Sequence, residues 1–414
     1  MGMSDQYRQN VLSHVEEIKK SGRPVVIFGT GRAGWYIMKV FEHYDVPIAV
    51  FSANDPGDKN TYFDYPVLSP KEIAEKLPNA YVFIGLFMPN TAAAINEQFR
   101  QINLHNVYYD MAAFLFTFFV AVAGRICDED ILARSIHILF ENYKEGQIHY
   151  GLTRGDYFVS PFVTSVITQK CTLRCRDCAQ LIPYYDAPVH FSKESVINDL
   201  RQYAKAFDVV PEISLHGGEP FLHPEIDAIC KEVAAIANIV FVSFITNGTI
   251  MLPDDKLQQL SACGADVHQS GGYGQLSRKR DALTEAFDRH GIYSDIHFCS
   301  PTEMWTHVPP YRKHDRPVAE NNEIYKRCMS SKTCAQIMNG ELQRCGLSMH
   351  GTHQGLFPKS ENDCVQLHDP DMPDDALVTE IRDFLNRDRA ITVCDYCDLD
   401  GGTLVAPAIQ LPRS

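Results

Sequence analysis

The sequence predicts an α/β chain of more than one domain, closed by a small cysteine-rich α+β region. Three observations lead there. Short apolar strands alternate with amphipathic helices over most of residues 20–300. A glycine-rich turn joins the first strand to the helix after it. Eight of the thirteen cysteines fall in tight groups.

The 414 residues suggest two or three domains at roughly 150 residues each. A hydrophobic fraction of 45% with 11% aromatics excludes a disordered chain. Lys and Arg number 38 and Asp and Glu 52, a formal charge of −14. That balance argues against a nucleic-acid or anionic-membrane binder, both of which need a basic face. The first twenty residues are polar and amphipathic, unlike a signal peptide. The longest apolar run, 111–124, falls short of the roughly 20 residues a bilayer span needs, so it predicts a buried helix. A cytoplasmic protein is expected. In a reducing compartment grouped cysteines point to metal or redox chemistry rather than disulfides. The isolated Cys127, Cys230, Cys263, Cys299 and Cys364 fit small buried hydrophobes.

Residues 1–125 predict a Rossmann-like domain. A helix over 6–20 precedes a strand over 24–28. Gly29-Thr30-Gly31-Arg32-Ala33-Gly34 then opens a helix that runs to about residue 43. Strands follow at 48–52, ending near Asp55, and at 81–86. G-x-G-x-x-G at a strand-to-helix turn, with an acidic residue about 20 positions on, is the setting in which a pyrophosphate approaches a helix N-terminus. Gly29, Gly31 and Gly34 are therefore candidates for a nucleotide or nucleotide-sugar site, with a purely structural unit as the alternative. Residues 65–72 resemble small Rossmann domains of sugar-modifying acetyltransferases, although Tyr65 departs from their glycine.

Residues 126–156 predict a helical connector, with a helix over 128–150. Residues 157–310 alternate strands (162–168, 212–216, 240–246, 266–269, 294–298) with helices such as 193–207 and 224–237. That rhythm gives a parallel sheet whose site lies at the strand ends. Residues 311–414 lose the rhythm. They hold a hairpin, 335–338 and 341–344, turned by Asn339-Gly340, and a helix over 376–386.

The loop after strand 162–168 reads Cys171-Thr172-Leu173-Arg174-Cys175-Arg176-Asp177-Cys178. Three thiolates on a short loop can hold three irons of a [4Fe–4S] cube and leave the fourth open. A zinc site or a shared helix face would be blander alternatives. Cys-x3-Cys-x2-Cys after the first strand of a β/α domain resembles the radical S-adenosylmethionine (radical SAM) superfamily. The second strand ends in Gly217-Gly218-Glu219-Pro220, similar to that family's GGEP motif. The third ends in Thr246-Asn247-Gly248, similar to its TNG turn. The resemblance implies a partial (β/α)6 barrel over 157–310. It implies a [4Fe–4S] cluster on Cys171, Cys175 and Cys178, with SAM at Gly217, Gly218, Glu219, Pro220, Thr246 and Asn247. Asp177 departs from the aromatic residue the family often has before its third cysteine.

Cys328, Gly340 and Cys345 are spaced as at the opening of SPASM and twitch extensions. Cys394-x2-Cys397 would close a second site, and no further cysteine run follows to complete a full SPASM. The pattern resembles a twitch domain over 311–414 with one auxiliary [4Fe–4S] cluster on Cys328, Cys345, Cys394 and Cys397. Cys334 rivals Cys328, and a zinc knuckle is the alternative occupant.

What the family resemblance implies is reductive cleavage of SAM to a 5′-deoxyadenosyl radical. An external one-electron donor such as flavodoxin or ferredoxin would supply the electron, and the radical would abstract hydrogen from a small-molecule substrate. An epimerase would need a thiol hydrogen donor, for which Cys299, Cys334 and Cys364 are candidates. A dehydratase would need an acid or base, from His216, His268, His297 or Tyr273. The glycine-turn domain and the loop over 178–185 favour a carbohydrate or nucleotide-linked sugar, with peptide maturation as the runner-up. An NAD-dependent oxidoreductase with structural zinc and a non-catalytic iron–sulfur protein are the competing classes. Substrate, product and oligomeric state are not legible in the sequence.

Overall fold

The computed structural model describes residues 2–56, 61–143, 157–297, 305–306, 311–398 and 402–412. The chain divides into two compact units, Met1–Ile148 and His149–Ser414.

The first unit is built on a six-stranded sheet in the order Thr61–Tyr62, Tyr65–Leu68, Ile48–Ser52, Val25–Phe28, Tyr81–Ile84, Val107–Tyr108. All neighbours are parallel except the short edge pair Thr61–Tyr62 and Tyr65–Leu68. Val25–Phe28 and Tyr81–Ile84 are buried at every position, as central parallel strands must be. The helix Pro70–Lys76 starts at a capping box, in which Ser69 accepts from the Glu72 amide and Glu72 from the Ser69 amide. The apolar run is a buried helix, Met111–Thr117, that loosens into a π-helical turn, Phe118–Ala123. The helix Glu129–Tyr143 packs on it and on Met3–Ser21.

The second unit has an eight-stranded sheet. Five strands run in chain order and parallel: Phe162–Thr168, Val210–Gly217, Ile239–Thr246, Asp266–Ser270 and Tyr293–His297. Helices such as Lys193–Ala204 and Ile226–Ala234 cross over between them and bury Leu200, Tyr203, Ile229 and Val233 against the sheet. The hairpin Cys334–Met338 and Glu341–Gln343 does not stand apart. Its first strand pairs parallel with Phe162–Thr168, placing Ile337 beside Ser165, and Cys364–Gln366 extends the sheet beyond it. The reason is an unfilled edge: Phe162–Thr168 has one core neighbour, and a second strand with buried Ala335 and Ile337 covers its other side. Asn339 (φ 51°) and Gly340 (φ 81°) take the left-handed backbone of the expected turn. No helix among the described residues is long and apolar enough to cross a membrane.

Candidate active site and four-cysteine chamber

The loop carrying Cys171, Cys175 and Cys178 leaves the end of Phe162–Thr168 and crosses the ends of the next two strands. Gly217 and Gly218 make that crossing possible. A Cβ on Gly217 (φ 143°) would lie 2.0 Å from the Thr168 carbonyl oxygen, and one on Gly218 would lie 2.2 Å from that of Lys170. The Gly218 amide donates to Thr168 O at 2.9 Å and the Glu219 amide to Lys170 O at 2.8 Å. The close approach these glycines permit is to the cysteine loop's own backbone.

Glu219 is fully buried. Its carboxylate accepts from the Phe221 amide (3.1 Å), Thr246 Oγ1 (2.8 Å) and the Asn247 amide (2.8 Å). Burial pushes its pKa up to about 7, and those three donors hold back a larger rise. In this structure Glu219 ties the second strand end to the third. Asn247 in turn donates through Nδ2 to Cys171 Sγ at 3.5 Å.

Each thiol of the loop receives N–H donors. Cys171 accepts from the Leu173 amide at 3.4 Å and Cys175 from Gln410 Nε2 at 3.1 Å. Cys178 accepts from the amides of Ile182, Gln180 and Leu181. Burial pushes Cys171 up to about 12 and Cys175 up to about 11, and it raises Cys178 too. The free thiols are therefore neutral at pH 7, and binding a metal group would release protons.

The three cysteines line a cavity of about 400 Å³ together with Asp177, Gln180, His216, Gly217, Gly218, Tyr273 and Trp305. This is the size of a small-molecule site. Tyr273 meets Trp305 edge-on at 5.7 Å, and burial raises its phenol well above 10. Desolvation lowers His216 to about 4, so its imidazole is neutral. Asp177 is buried and paired with Arg176 at 2.9 Å.

His268 is placed differently. Its Nδ1 meets Asp295 at 2.8 Å and its Nε2 lies 3.7 Å from Glu212. Burial opposes its charge, but these carboxylates outweigh that and raise it to about 9. It is a charged clasp between strands and does not line the cavity. His297 is the last residue of its strand. Cys299 lies outside the described residues.

Cys328, Cys345, Cys394 and Cys397 converge on a second cavity of about 40 Å³, otherwise walled largely by Ile324, Tyr325, Leu347, Ile391 and Val393. Cys345 occupies the N-cap position of the helix Gly346–His353, where the nearby Ser348 and Leu347 amides favour a thiolate. Without a bound metal group, burial pushes Cys345 up to about 11 and Cys394 up to about 12. The Arg316 guanidinium donates to the carbonyls of Cys394 and Cys397. Cys334 lines neither cavity. It opens the hairpin strand, its sulfur 3.3 Å from Thr333 Oγ1. Cys364 pairs with Gln343 in the sheet. Among the described residues no three His, Cys, Asp or Glu side chains close on a single metal ion.

In the first unit, a Cβ on Gly34 would lie 2.0 Å from Gly29 O, and one on Gly29 2.6 Å from Gly85 O. These two glycines interlock strand and helix, whereas Gly31 faces open space.

Sequence reasoning missed Gln410 and Trp305. The Arg174 amide donates to Gln410 Oε1 (2.8 Å), Arg176 to Ile409 O (2.7 Å) and Leu411 to Arg174 O (2.8 Å). A strap from the far end of the chain thus runs along the cysteine loop, and nothing local in residues 402–412 announces it.

Residues 165–270 match the model of the radical SAM superfamily. The chain contains a radical SAM domain. A GTP 3′,8-cyclase of Lactiplantibacillus plantarum is 24% identical over 145 residues, 33% of this chain and 42% of that protein. The Chlorobaculum tepidum GTP 3′,8-cyclase is 31% identical over 106 residues, 25% and 30% of the two chains. A pre-heme d1 synthase of Dinoroseobacter shibae is 27% identical over 106 residues, 26% and 25%. The chain thus spans less than half the length of these curated relatives. Among solved structures, BtrN in complex with AdoMet and 2-DOIA aligns at a TM-score of 0.35 with 16% identity, over 57% of this chain and 92% of that one. Streptococcus suis SuiB bound to S-adenosylmethionine aligns at 0.35 with 15% identity, over 71% and 78%.

Proposed function

We propose that the chain is a radical SAM enzyme that starts its reaction in the 400 Å³ cavity. Cys171, Cys175 and Cys178 would hold a [4Fe–4S] cluster, and SAM would lie along Gly217, Gly218 and the third-strand end at Thr246 and Asn247. The observation that carries this reading is the cavity wall itself, where three buried sulfurs, each with N–H donors, meet a glycine pair pressed against their loop. Donors to sulfur are one of the levers by which proteins stabilise and tune iron–sulfur sites. When bound, the cluster and SAM supply an electron and a 5′-deoxyadenosyl radical.

The chain's own residues do the rest. Glu219 fixes the second and third strand ends to each other, and Asn247 orients Cys171. Trp305 and Tyr273 line the cavity and would help keep water from the reacting atoms. The neutral His216 imidazole can donate or accept one hydrogen bond to a substrate hydroxyl or carbonyl.

The four-cysteine chamber would hold an auxiliary [4Fe–4S] cluster on Cys328, Cys345, Cys394 and Cys397. Its sulfurs surround a space, which a cube requires, whereas zinc draws four ligands to about 2.3 Å from one point. With four protein ligands its irons are closed, so it would conduct electrons rather than bind substrate. The substrate we favour is a nucleotide-linked sugar or other carbohydrate. A glycine-turn α/β unit on the same chain supports it, and the relatives that carry GTP in their names keep a nucleotide in view. An external one-electron reductant completes the partners.

The test is anaerobic reconstitution, with iron and sulfide counted per chain and 5′-deoxyadenosine measured from SAM under dithionite. About eight irons with deoxyadenosine are expected. Iron without SAM cleavage, or zinc in place of iron, would refute the reading. Stimulation of deoxyadenosine by sugar nucleotides would then rank substrates, and stimulation by a peptide alone would overturn the carbohydrate preference.

A further inference from the structure

Behind the four-cysteine chamber lies a polar cavity of about 200 Å³ whose wall includes Tyr325, Arg344, Asn362, Asp363, Arg387 and Arg389. Arg344 is 5% exposed. It bonds to the Tyr325 hydroxyl, and its Nε has no hydrogen-bond partner among the described residues. Arg387 lies over the Phe384 ring at 5.3 Å and donates one N–H to Asn362 O at 2.8 Å. Arg389 is exposed at the rim. The one carboxylate in the wall, Asp363, spends an oxygen on the Thr392 amide at 2.8 Å. Among the described residues none of the three arginines forms an ion pair with a carboxylate. Three guanidinium groups against one carboxylate leave a net charge of about two positive units in a pocket of a chain that carries −14.

A buried guanidinium without a counter-charge is costly, and the cost falls when an anion fills the site. Guanidinium forks fit the oxygens of a phosphoryl group two at a time, and its double charge matches the excess. We propose that this cavity is a binding site for the phosphoryl group of a small molecule. Arg344 and Arg387 hold the oxygens inside, and Arg389 draws the anion in from the rim. Tyr325, Arg344 and Ile391 also line the four-cysteine cavity, so the occupant lies one side chain away from those sulfurs. The proposal does not depend on radical chemistry.

Isothermal titration calorimetry of the full-length reconstituted protein tests it, with inorganic phosphate in one arm and glycerol 3-phosphate in the other. Saturable one-to-one binding of at least one probe is expected. The double variant Arg387→Ala with Arg389→Ala should weaken it by about tenfold or more while the melting curve stays put. Arg344→Gln should weaken it further, and its circular dichroism shows whether the fold survives. Stronger binding of the ester than of the free ion marks a phosphorylated metabolite, and equal binding marks phosphate itself. No saturable heat, affinity unchanged in the double variant, or equal competition by succinate or chloride would overturn the assignment. Deoxyadenosine yield is not the readout, so failure here leaves the proposed reaction standing.

Discussion

Gly218→Ala places the heaviest demand on the site's geometry. The added Cβ would lie 2.2 Å from Lys170 O, 2.6 Å from Lys170 C and 3.0 Å from Cys171 Cβ. Ordinary contact needs roughly 1 Å more, and both neighbours are backbone or the root of a cysteine side chain. Separating the strands strains two backbone hydrogen bonds, Gly218 to Thr168 and Glu219 to Lys170. At about 1 kcal/mol for each bond and 1–3 kcal/mol for overpacking, the cost is about 3–5 kcal/mol. Gly355→Ala is the reference, since Gly355 (φ 70°) has nothing within 4 Å of an added Cβ and pays only for left-handed backbone, about 1–2 kcal/mol. Urea denaturation of the two apo-variants gives the difference, and iron per chain after reconstitution reports on the cysteine loop. Gly218→Ala should lose about 2 kcal/mol more than Gly355→Ala and hold less iron. Equal stability with full iron would refute the argument that the glycine pair exists to let the loop cross.

Three further expectations follow from the same contacts. Cys328→Ser should remove about four irons per chain and Cys334→Ser none, as read by iron assay, because only Cys328 faces the chamber. The carboxylates of Asp295 and Glu212 raise His268 from an ordinary histidine value of about 6.5 to about 9, so its contribution is full below 6.5 and is lost as pH rises through 9. It amounts to about 3 kcal/mol at most, and His268→Gln should flatten the fall in urea stability between pH 6 and pH 9. In the first unit Gly34→Ala should destabilise by about 1–3 kcal/mol while Gly31→Ala stays near neutral, measured by thermal melting of that unit's circular dichroism signal.

The strands were legible where local chemistry decides them. Phe162–Thr168 and Ile48–Ser52 are β-branched or aromatic at most positions, and their limits match the sequence reading. The Asn339-Gly340 turn was legible because only such residues accept its backbone at low cost. The helix Pro89–Gln101 was not read, since only Ala92, Ile95 and Phe99 of its thirteen residues are buried. The choice between Cys328 and Cys334 was open because both precede the hairpin at workable spacing. In the structure Cys328 follows the helix Val318–Arg327 and lines the four-cysteine cavity, whereas Cys334 is already in the sheet. Glu219 was read for its charge, but two of its three donors, Thr246 Oγ1 and the Asn247 amide, come from the next strand end, which no local pattern reveals. Docking of the hairpin and strap was hidden for the same reason, as contacts across 150 residues or more leave no periodicity.

The strap at Ile409–Leu411 has a consequence for synthesis. Cys175 takes its donor from a residue 235 positions later, and the first strand takes its second neighbour from Cys334–Met338. A nascent chain that has reached only residue 330 therefore offers Cys171, Cys175 and Cys178 with neither covering in place. Contacts of such separation form late. During that interval the three thiols stand open to oxidants and stray metals, so if the loop holds a cluster as proposed, iron would have to reach it in step with the arrival of its distant cover.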